Sequence, residues 1–420
     1  MRVIDAAVVA LLAATLWALD TAAGAGTNPL EYLRYGIILG LDALILLLVA
    51  IEALRRPLTL ELSAGGALFG IFLLYTVVSV LWSAGGMQSV LKVILLAAMT
   101  STALAIAVTR PTETIVRSVA IVCGAYVVLG ALAAIFVPSI GIETGWQLEG
   151  KWRGISAQKN GFGAVVAISL VFAAIQLIVP RPEGHRRGPL LLTVIWLGFL
   201  LFCLAMAGSR GAQLTATLGI AGLIFTRMGR STQNVIIFGS VLVAIPLAIL
   251  AVLTFSADST QLSVFGLTFD TSSRTQIWAY GLELLPGREL FGYGPSGFWT
   301  PERADVFEAN NGWVLDNFHS GYVTALMEGG AVGLLLLLAS LFASFAALRH
   351  QASGAAPSMV SAFAFFCIVA VQNVVENTFG RSTDFLFFTF LLFTFSAVSV
   401  TPLPSRERQA SRPHVALSQT

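Results

Sequence analysis

Long runs of apolar residues limit what this chain can fold into more than any other feature of its sequence. The stretch GGAVGLLLLLASLFASFAAL, residues 329–348, contains no charged residue and does not alternate between polar and apolar positions. Segments that face lipid must be helices or closed barrels, and barrel strands alternate. Only 11% of the residues are charged, compared with roughly 25% in soluble domains. The sequence therefore predicts an all-α integral membrane protein.

The number of spans follows from the length of the apolar runs. A helix needs about 20 apolar residues to cross the hydrocarbon core, which gives about twelve candidate spans. The segment 1–26 resembles a signal peptide, but its weak basic end favours an uncleaved first span. The candidate spans are 3–20, 30–51, 64–82, 88–109, 117–137, 161–179, 189–207, 211–226, 234–255, 320–347, 358–376 and 384–400.

The distribution of basic residues predicts the orientation in the membrane. With a cytoplasmic N-terminus, most of the 24 Lys and Arg residues fall in cytoplasmic segments such as RPEGHRRG and RMGRS, as the positive-inside rule expects. We therefore predict that both termini are cytoplasmic. Residues 1–400 form one membrane domain, and the Pro-containing segment 401–420 is predicted to be a disordered tail.

Two long segments fall on the extracytoplasmic side, at about 138–160 and 256–319. Long connections in a chain of otherwise short turns usually have a function. All the lysines, Lys92, Lys151 and Lys159, lie in outer segments or at the outer edge of a span. A single outer cation can simply contact lipid phosphates, but the whole set indicates a binding site for an anion.

His319 is the candidate proton acceptor on this side. The other three histidines fall in cytoplasmic turns or in the tail, whereas His319 stands in DNFHSGY at the start of a long span. A lone histidine is often structural. We expect His319 to lie in the first turn of the helix, where the helix dipole disfavours imidazolium and leaves a neutral ring that accepts a proton.

Arginines supply the candidate anion site. Arg210 stands between two spans in AMAGSRGAQL, a costly place for a charge that binds nothing. Arg274 is predicted to open a helix capped by Ser272 or Ser273, and Trp278 shares its face. Guanidinium groups suit diphosphate oxygens because they bind them in a forked geometry.

Several other chemistries are excluded by the pattern of residues. A single outer histidine without a cysteine is not a zinc site, and all three cysteines fall inside spans. The glycines of FGYGPSGF match a nucleotide-binding pattern, but they lack the strand and helix that this pattern needs. We therefore interpret this segment as a Gly-rich turn.

The order of three motifs, GSRG, SSRTQIW followed by LFGYGPSGFW, and DNFHSGYVTALMEGGAVGL, resembles the shared domain of O-antigen ligases and polymerases over about 200–350. Upstream, WRGISAQKNGFG resembles exopolysaccharide-production polymerases, as does ENTFGRSTDFLFF near the end. The family commonly has Asn after the histidine, whereas this chain has Ser320.

This resemblance implies a GT-C-like glycosyltransferase that acts at the outer face of the bacterial inner membrane. Its donor is expected to be an undecaprenyl-diphosphate-linked glycan, with no metal, no cofactor and no nucleic acid. The predicted catalytic residues are His319 as base and Arg210 and Arg274 as diphosphate ligands. The predicted substrate-binding residues are Arg153, Lys159, Asn160, Trp278, Tyr322, Lys92 and Arg381.

The KN and ENTFGR segments favour a polymerase that joins repeat units into exopolysaccharide or O-antigen, with a chain-length regulator or flippase as a partner. A ligase that transfers polymer to a lipid A core is the alternative within the same chemistry. A polysaccharide or lipid transporter is the alternative from another class. A transporter places its ionisable residues near the bilayer midplane and breaks its helices there, whereas here Asp42 is the visible mid-span charge.

Overall fold

The computed structural model describes residues 3–16, 29–55, 58–61, 63–144, 149–179, 189–240, 261–264, 267–270, 274–312, 317–352, 357–374, 376–379, 381–396 and 399–402. Within them, helices account for most of the chain. They are, in order, α1 Val3–Leu16, α2 Pro29–Arg55, α3 Ala64–Val78, α4 Met87–Thr109, α5 Thr112–Phe136, α6 Pro138–Gly141, α7 Lys159–Ile178, α8 Leu190–Ala207, α9 Arg210–Arg227, α10 230–240, α11 Arg274–Glu283, α12 Pro301–Asn311, α13 Gly321–Ala352, α14 Pro357–Gln372 and α15 Phe385–Ser396.

Short strands supplement the helices. The strand β1, Leu58–Glu61, pairs antiparallel with β4, Ser399–Pro402, while β2, Gln261–Val264, forms a hairpin with β3, Leu267–Asp270. The expectation of a purely helical chain is corrected to this extent. The predicted span 384–400 also ends earlier, because α15 stops at Ser396. Beyond Pro402, the predicted tail lies outside the described residues.

Seven of the described helices, α2, α3, α4, α5, α7, α8 and α13, are long and apolar enough to cross a membrane. The apolar helices α1, α14 and α15 have 14, 16 and 12 residues, fewer than the roughly 20 of a straight crossing. The predicted span 211–226 forms α9, which begins and ends with arginine. The predicted span 234–255 continues beyond the described residues. A multi-pass helical membrane protein is confirmed, whereas the count of twelve spans is not.

Contacts between helices show which helix ends lie together. Gly163 of α7 adjoins Ser209, and Gly219 of α9 adjoins Val171 of α7, so α7 and α9 run parallel. Gly219 also adjoins Ile368 of α14. Just past α14, the carbonyl oxygen of Asn373 accepts a hydrogen bond from the Gly321 N–H at the start of α13. The first residues of α7, α9 and α13 therefore lie at one end of the bundle, which we call the His319 end.

Ion pairs and polar contacts fix the opposite end. The Arg110 guanidinium at the end of α4 lies 3.1 Å from the Asp5 carboxylate of α1 and 3.1 Å from the Glu52 carboxylate of α2. The Arg349 Nε near the end of α13 donates to Gln233 Oε1 at 2.6 Å. We call this the Arg110 end. The chain enters α1 at the Arg110 end, and α15 returns to it from the His319 end.

The long helix α13 is broken at Gly330, where φ is 62° and ψ is −164°. A loop over 289–294 fills the break: the N–H groups of Tyr293 and Gly294 donate to the carbonyls of Met327 and Glu328. In return, the N–H groups on the far side of Gly330 donate to loop carbonyls. The exchange supplies the backbone partners that a break in an apolar span otherwise lacks.

Candidate functional site

The predicted reactive residues lie at helix starts on the His319 end. Lys159 begins α7, Arg210 begins α9, and Arg274 begins α11, as the sequence predicted for Arg274. Helix N-termini carry free N–H groups and a partial positive charge that favour anions. The bundle therefore concentrates basic side chains and positive helix ends on one surface.

His319 does not lie in the first turn of α13, as was expected. The helix begins at Gly321, and His319 precedes it with a left-handed backbone, φ 46°. The side-chain oxygen of Asn317 accepts a hydrogen bond from the His319 N–H at 2.9 Å. Ser320 caps the helix, since its Oγ accepts from the Val323 N–H. This turn holds His319 outside the helix, in a conformation that costs a non-glycine residue roughly 1 kcal/mol.

The loop after α14 packs against this turn through Asn373, whose side chain is fully buried. Its Oδ1 accepts hydrogen bonds from the N–H groups of Thr378 and Phe379, at 3.0 and 2.9 Å. The Gly321 N–H donates to the Asn373 and Glu376 carbonyls. A Cβ on Gly321 would lie 2.1 Å from the Asn373 Oδ1. The approach of the two loops therefore requires glycine at 321.

Arg274 faces this C-terminal loop. Its guanidinium lies 3.6 Å from the Glu376 carboxylate, and both side chains are partly exposed. One turn along α11, the Trp278 indole N–H donates to the Phe318 carbonyl at 2.8 Å. Phe318 is buried against Phe298 and Trp299. The start of α11 is thereby joined to the residue preceding His319.

Charges alternate in sign along the same loop. Burial of the carboxyl groups raises the pKa of both Glu376 and Asp384. The exposed Arg381 acts in the opposite direction and lowers both pKa values, but its effect is smaller than that of burial. Asp384 caps α15 by accepting from the N–H groups of Leu386 and Phe387. Arg34 of α2 donates to Thr383 at 3.1 Å. The loop therefore brings Arg34, Arg274 and Arg381 around two acidic side chains.

Arg210 lies at the junction of α8 and α9. Gly208 ends α8 in a left-handed conformation and Ser209 caps α9, as expected for a charge at the junction of two spans. The Arg210 side chain is exposed and forms no hydrogen bond or ion pair within the part of the chain that the structure describes. Ser209 Oγ bonds Asn160 Oδ1 at 2.9 Å, and the Lys159 ammonium lies 3.5 Å from the Gly208 carbonyl. The structure thus brings Arg210, Lys159 and Asn160 together.

Other predicted substrate-binding residues contact the protein itself. Arg153 donates to the carbonyls of Ile140 and Ser139, at 2.8 and 3.2 Å. The Tyr322 hydroxyl donates to the Ala370 carbonyl of α14 at 2.6 Å. Whether these two residues also bind substrate stays a prediction.

Lys92 forms an ion pair across the bundle. Its ammonium lies 2.7 and 2.8 Å from the two carboxylate oxygens of Glu328 on α13. The Ser296 N–H also donates to this carboxylate, at 3.0 Å. The pair lines a cleft with Tyr75, Gly321 and several other residues of α3, α4 and α13. Lys92 thus joins α4, α13 and the loop before α12.

Among the described residues, no group of three or more His, Cys, Asp or Glu side chains is arranged to hold a metal ion. The cations and helix N-termini that gather at the His319 end instead form a surface suited to an anionic ligand.

Comparison with known proteins gives two similarities. A family model described as O-antigen ligase matches residues 193–338, a range that includes Arg210, Arg274 and His319. The exopolysaccharide production protein ExoQ of Rhizobium meliloti (strain 1021) is 23% identical over 275 residues. Over these residues the chain is similar to members of the O-antigen ligase and polymerase superfamily. The alignment covers 61% of this chain and 60% of the length of ExoQ.

Three contacts in this chain escaped prediction from the sequence. Asn373 contacts Gly321 and Glu376 contacts Arg274, residues about 50 and 100 positions earlier in the chain. No local sequence pattern predicts contacts between such distant residues. The third contact is made by Glu328, which lies within the apolar helix α13. An acidic residue inside an apolar span is a general signal for a partner charge, and Lys92 is that partner.

Proposed function

We propose that this protein is a polymerase that joins undecaprenyl-diphosphate-linked repeat units at the outer face of the bacterial inner membrane. One observation carries this proposal. His319, in its strained turn, lies beside the start of α11, the helix that Arg274 begins. Both residues lie at the end of the bundle where Arg210 begins α9. This arrangement supports a proton acceptor close to cations that bind a diphosphate. The proposed topology has about twelve spans, cytoplasmic termini and a GT-C-like architecture.

In the proposed reaction, Arg210 and Arg274 bind the diphosphate of the donor. The hydroxyl oxygen of the acceptor sugar attacks the anomeric carbon and forms the new glycosidic bond with inversion. The bond from this carbon to the diphosphate oxygen breaks, and its electron pair leaves with the diphosphate. The hydroxyl proton passes to the His319 imidazole, while the two arginines stabilise the charge that develops on the leaving group.

Two observations bear on the choice of acceptor. The relative named for exopolysaccharide production supports polymerisation of repeat units. The family description, O-antigen ligase, favours the second candidate, transfer of a polymer to a lipid A core. A chain-length regulator or flippase is the proposed partner in either case.

The broken helix α13 is also a feature of transporters. Here, however, the loop over 289–294 takes up the backbone groups on both sides of Gly330. Because the carbonyls of Met327 and Glu328 at the break accept hydrogen bonds from the loop, the break does not present a ring of carbonyl oxygens that could coordinate a transported ion. We therefore favour glycosyl transfer over transport.

The test uses purified protein in liposomes with lipid-diphosphate-linked repeat units, and the products are separated on a gel. Wild type should produce a ladder that EDTA leaves unchanged, and His319→Ala and Arg210→Ala should lose it. Removal of one charge-stabilising donor typically lowers the rate roughly 10²–10³-fold.

Two matched controls lie at the far ends of α13, which follows His319, and of α9, which Arg210 begins. His350→Ala changes the histidine near the far end of α13, and Arg227→Ala changes the arginine at the far end of α9. Both should keep the ladder. An unchanged ladder in His319→Ala would remove the proposed base. A single transfer to a core acceptor, without a ladder, would identify a ligase.

A further inference from the structure

Glu376 lies where an anionic ligand of Arg274 is expected to bind. Its carboxylate is 3.6 Å from the guanidinium, whereas a charge-assisted hydrogen bond measures roughly 2.7–2.9 Å. The pair is therefore a loose Coulombic contact rather than a closed fork. The Glu376 side chain is 38% exposed, so a ligand from outside can reach both partners.

The backbone of Glu376 is fixed, but its side chain has a second cation within reach. The Glu376 carbonyl accepts from the Gly321 N–H, and its own N–H donates to the Gln372 carbonyl. Arg274 and Arg381 both act electrostatically on the carboxylate, with Arg274 the stronger of the two. A carboxylate that leaves Arg274 can therefore move towards Arg381 without losing all of its compensating charge.

The competing anions differ in charge and in the number of acceptor oxygens. A diphosphate offers Arg274 more negative charge and more oxygens than one carboxylate does. The phosphodiester of an ordinary lipid headgroup carries a single negative charge, like the carboxylate. A diphosphate can therefore displace Glu376 where a phosphodiester gains nothing.

We propose that Glu376 is a specificity-determining residue that occupies Arg274, yields to the diphosphate of the donor, and excludes the phosphodiesters of surrounding lipids. The inference rests on the proposed function, because it takes Arg274 as a diphosphate ligand. On this proposal, two elements discriminate between diphosphates and phosphodiesters. Arg274 attracts the anion, and the Glu376 carboxylate repels it. An enzyme that works at a surface crowded with phosphodiesters needs such a filter.

The experiment measures binding by the full-length protein in detergent. The probes are inorganic pyrophosphate and glycerophosphoglycerol, which carries the phosphodiester of a lipid headgroup. Glu376→Gln removes the charge and keeps the shape. We expect it to bind pyrophosphate roughly two- to five-fold more tightly, the size of a partly exposed ion pair, and to gain measurable binding of the phosphodiester. Glu302→Gln, an exposed position on α12, is the control and should match wild type for both probes.

Two further variants separate the possible failures. Arg274→Ala should lose most pyrophosphate binding, and unchanged binding in this variant would overturn the role of Arg274 in the proposed function. Loss in Arg274→Ala without a gain in Glu376→Gln would overturn the inference on Glu376 alone. If Glu376→Gln does not fold, Glu376→Asp takes its place. Its shorter side chain draws the carboxylate away from Arg274 and should also tighten pyrophosphate binding, and unchanged or weaker binding would contradict the proposal.

Discussion

At the scale of single residues, the conformation of His319 separates a functional role from a structural one. A left-handed backbone at a non-glycine residue lowers stability. The Asn317 side chain and the Ser320 cap hold the histidine in this state. A residue selected only for stability at this position would be glycine or asparagine. The strain at His319 agrees with a role in the proposed reaction.

His319→Asn should therefore separate activity from stability. Asparagine tolerates the left-handed region, so we expect the free energy of unfolding to stay equal or to rise by up to about 1 kcal/mol. Its amide cannot accept the hydroxyl proton, and the ladder of products should disappear. Thermal unfolding in detergent and the gel assay measure the two effects. A variant that is active, or that loses several kcal/mol of stability, would contradict this interpretation.

Glu376 should make stability depend on pH in a defined direction. Burial raises its pKa above the ordinary 4.5, so the folded state binds the proton more tightly than the unfolded state. This contribution is fully present below pH 4.5 and is lost as pH rises through the folded-state pKa. Glu376→Gln stays neutral. It should therefore unfold at a higher temperature than wild type at pH 7, and the difference should vanish at low pH.

Glu302→Gln is the control, because the pKa of Glu302 is shifted in the opposite direction to that of Glu376. Hydrogen bonds from its own backbone N–H and from the Thr300 side chain lower the pKa of Glu302, so its ionised form favours the folded state. The variant should gain nothing at pH 7. Equal responses of the two variants to pH would refute the assignment of the effect to Glu376.

At the scale of elements, the break in α13 depends on Gly330. A Cβ at this position would lie 2.3 Å from the Leu290 carbonyl carbon and oxygen. Tyr75 of α3 also bonds here, because its hydroxyl donates to the Gly329 carbonyl. The loop, α3 and both halves of α13 therefore meet at a point with no room for a side chain.

Gly330→Ala should accordingly lower the free energy of unfolding by about 3 kcal/mol or more, from backbone strain and from the clash with the loop. Gly40→Ala is the matched control: it lies in the continuous helix α2, and nothing is within 4 Å of its added Cβ. Alanine favours helix there, so its stability should equal or exceed that of wild type by up to about 1 kcal/mol. Thermal unfolding compares the two, and equal stabilities would show that the break does not need glycine.

At the scale of the whole molecule, the sequence predicts the helical membrane class, and its candidate residues Arg210, Arg274 and His319 lie at one end of the bundle. Apolar runs and the positions of Arg210 and Arg274 are local signals, and both arginines begin helices as expected. The conformation of His319 and the pairing of Arg274 with Glu376 depend on contacts between distant segments. Hydrophobic periodicity carries no information about such contacts, so these features could not be predicted.

Cysteine labelling tests the proposed topology. In a chain whose three native cysteines are replaced by serine, Glu302→Cys places a thiol on α12 at the His319 end. Gly229→Cys places one between α9 and α10 at the Arg110 end, where a side chain meets nothing within 4 Å. A maleimide that cannot cross membranes should label Glu302→Cys in cells whose inner membrane is intact. It should label Gly229→Cys only after that membrane is permeabilised, and the reverse pattern would invert the proposed orientation.

The exchange of backbone hydrogen bonds at Gly330 has a consequence for the construction of chimeras. Neither the loop over 289–294 nor the first half of α13 has a complete set of backbone partners without the other. The two segments therefore form one module, although residues 295–320 separate them in the chain. A graft that brings the loop of a relative without its matching helix leaves peptide groups uncompensated within an apolar span. A stably folded chimera of two relatives should accordingly form only when both segments are exchanged together.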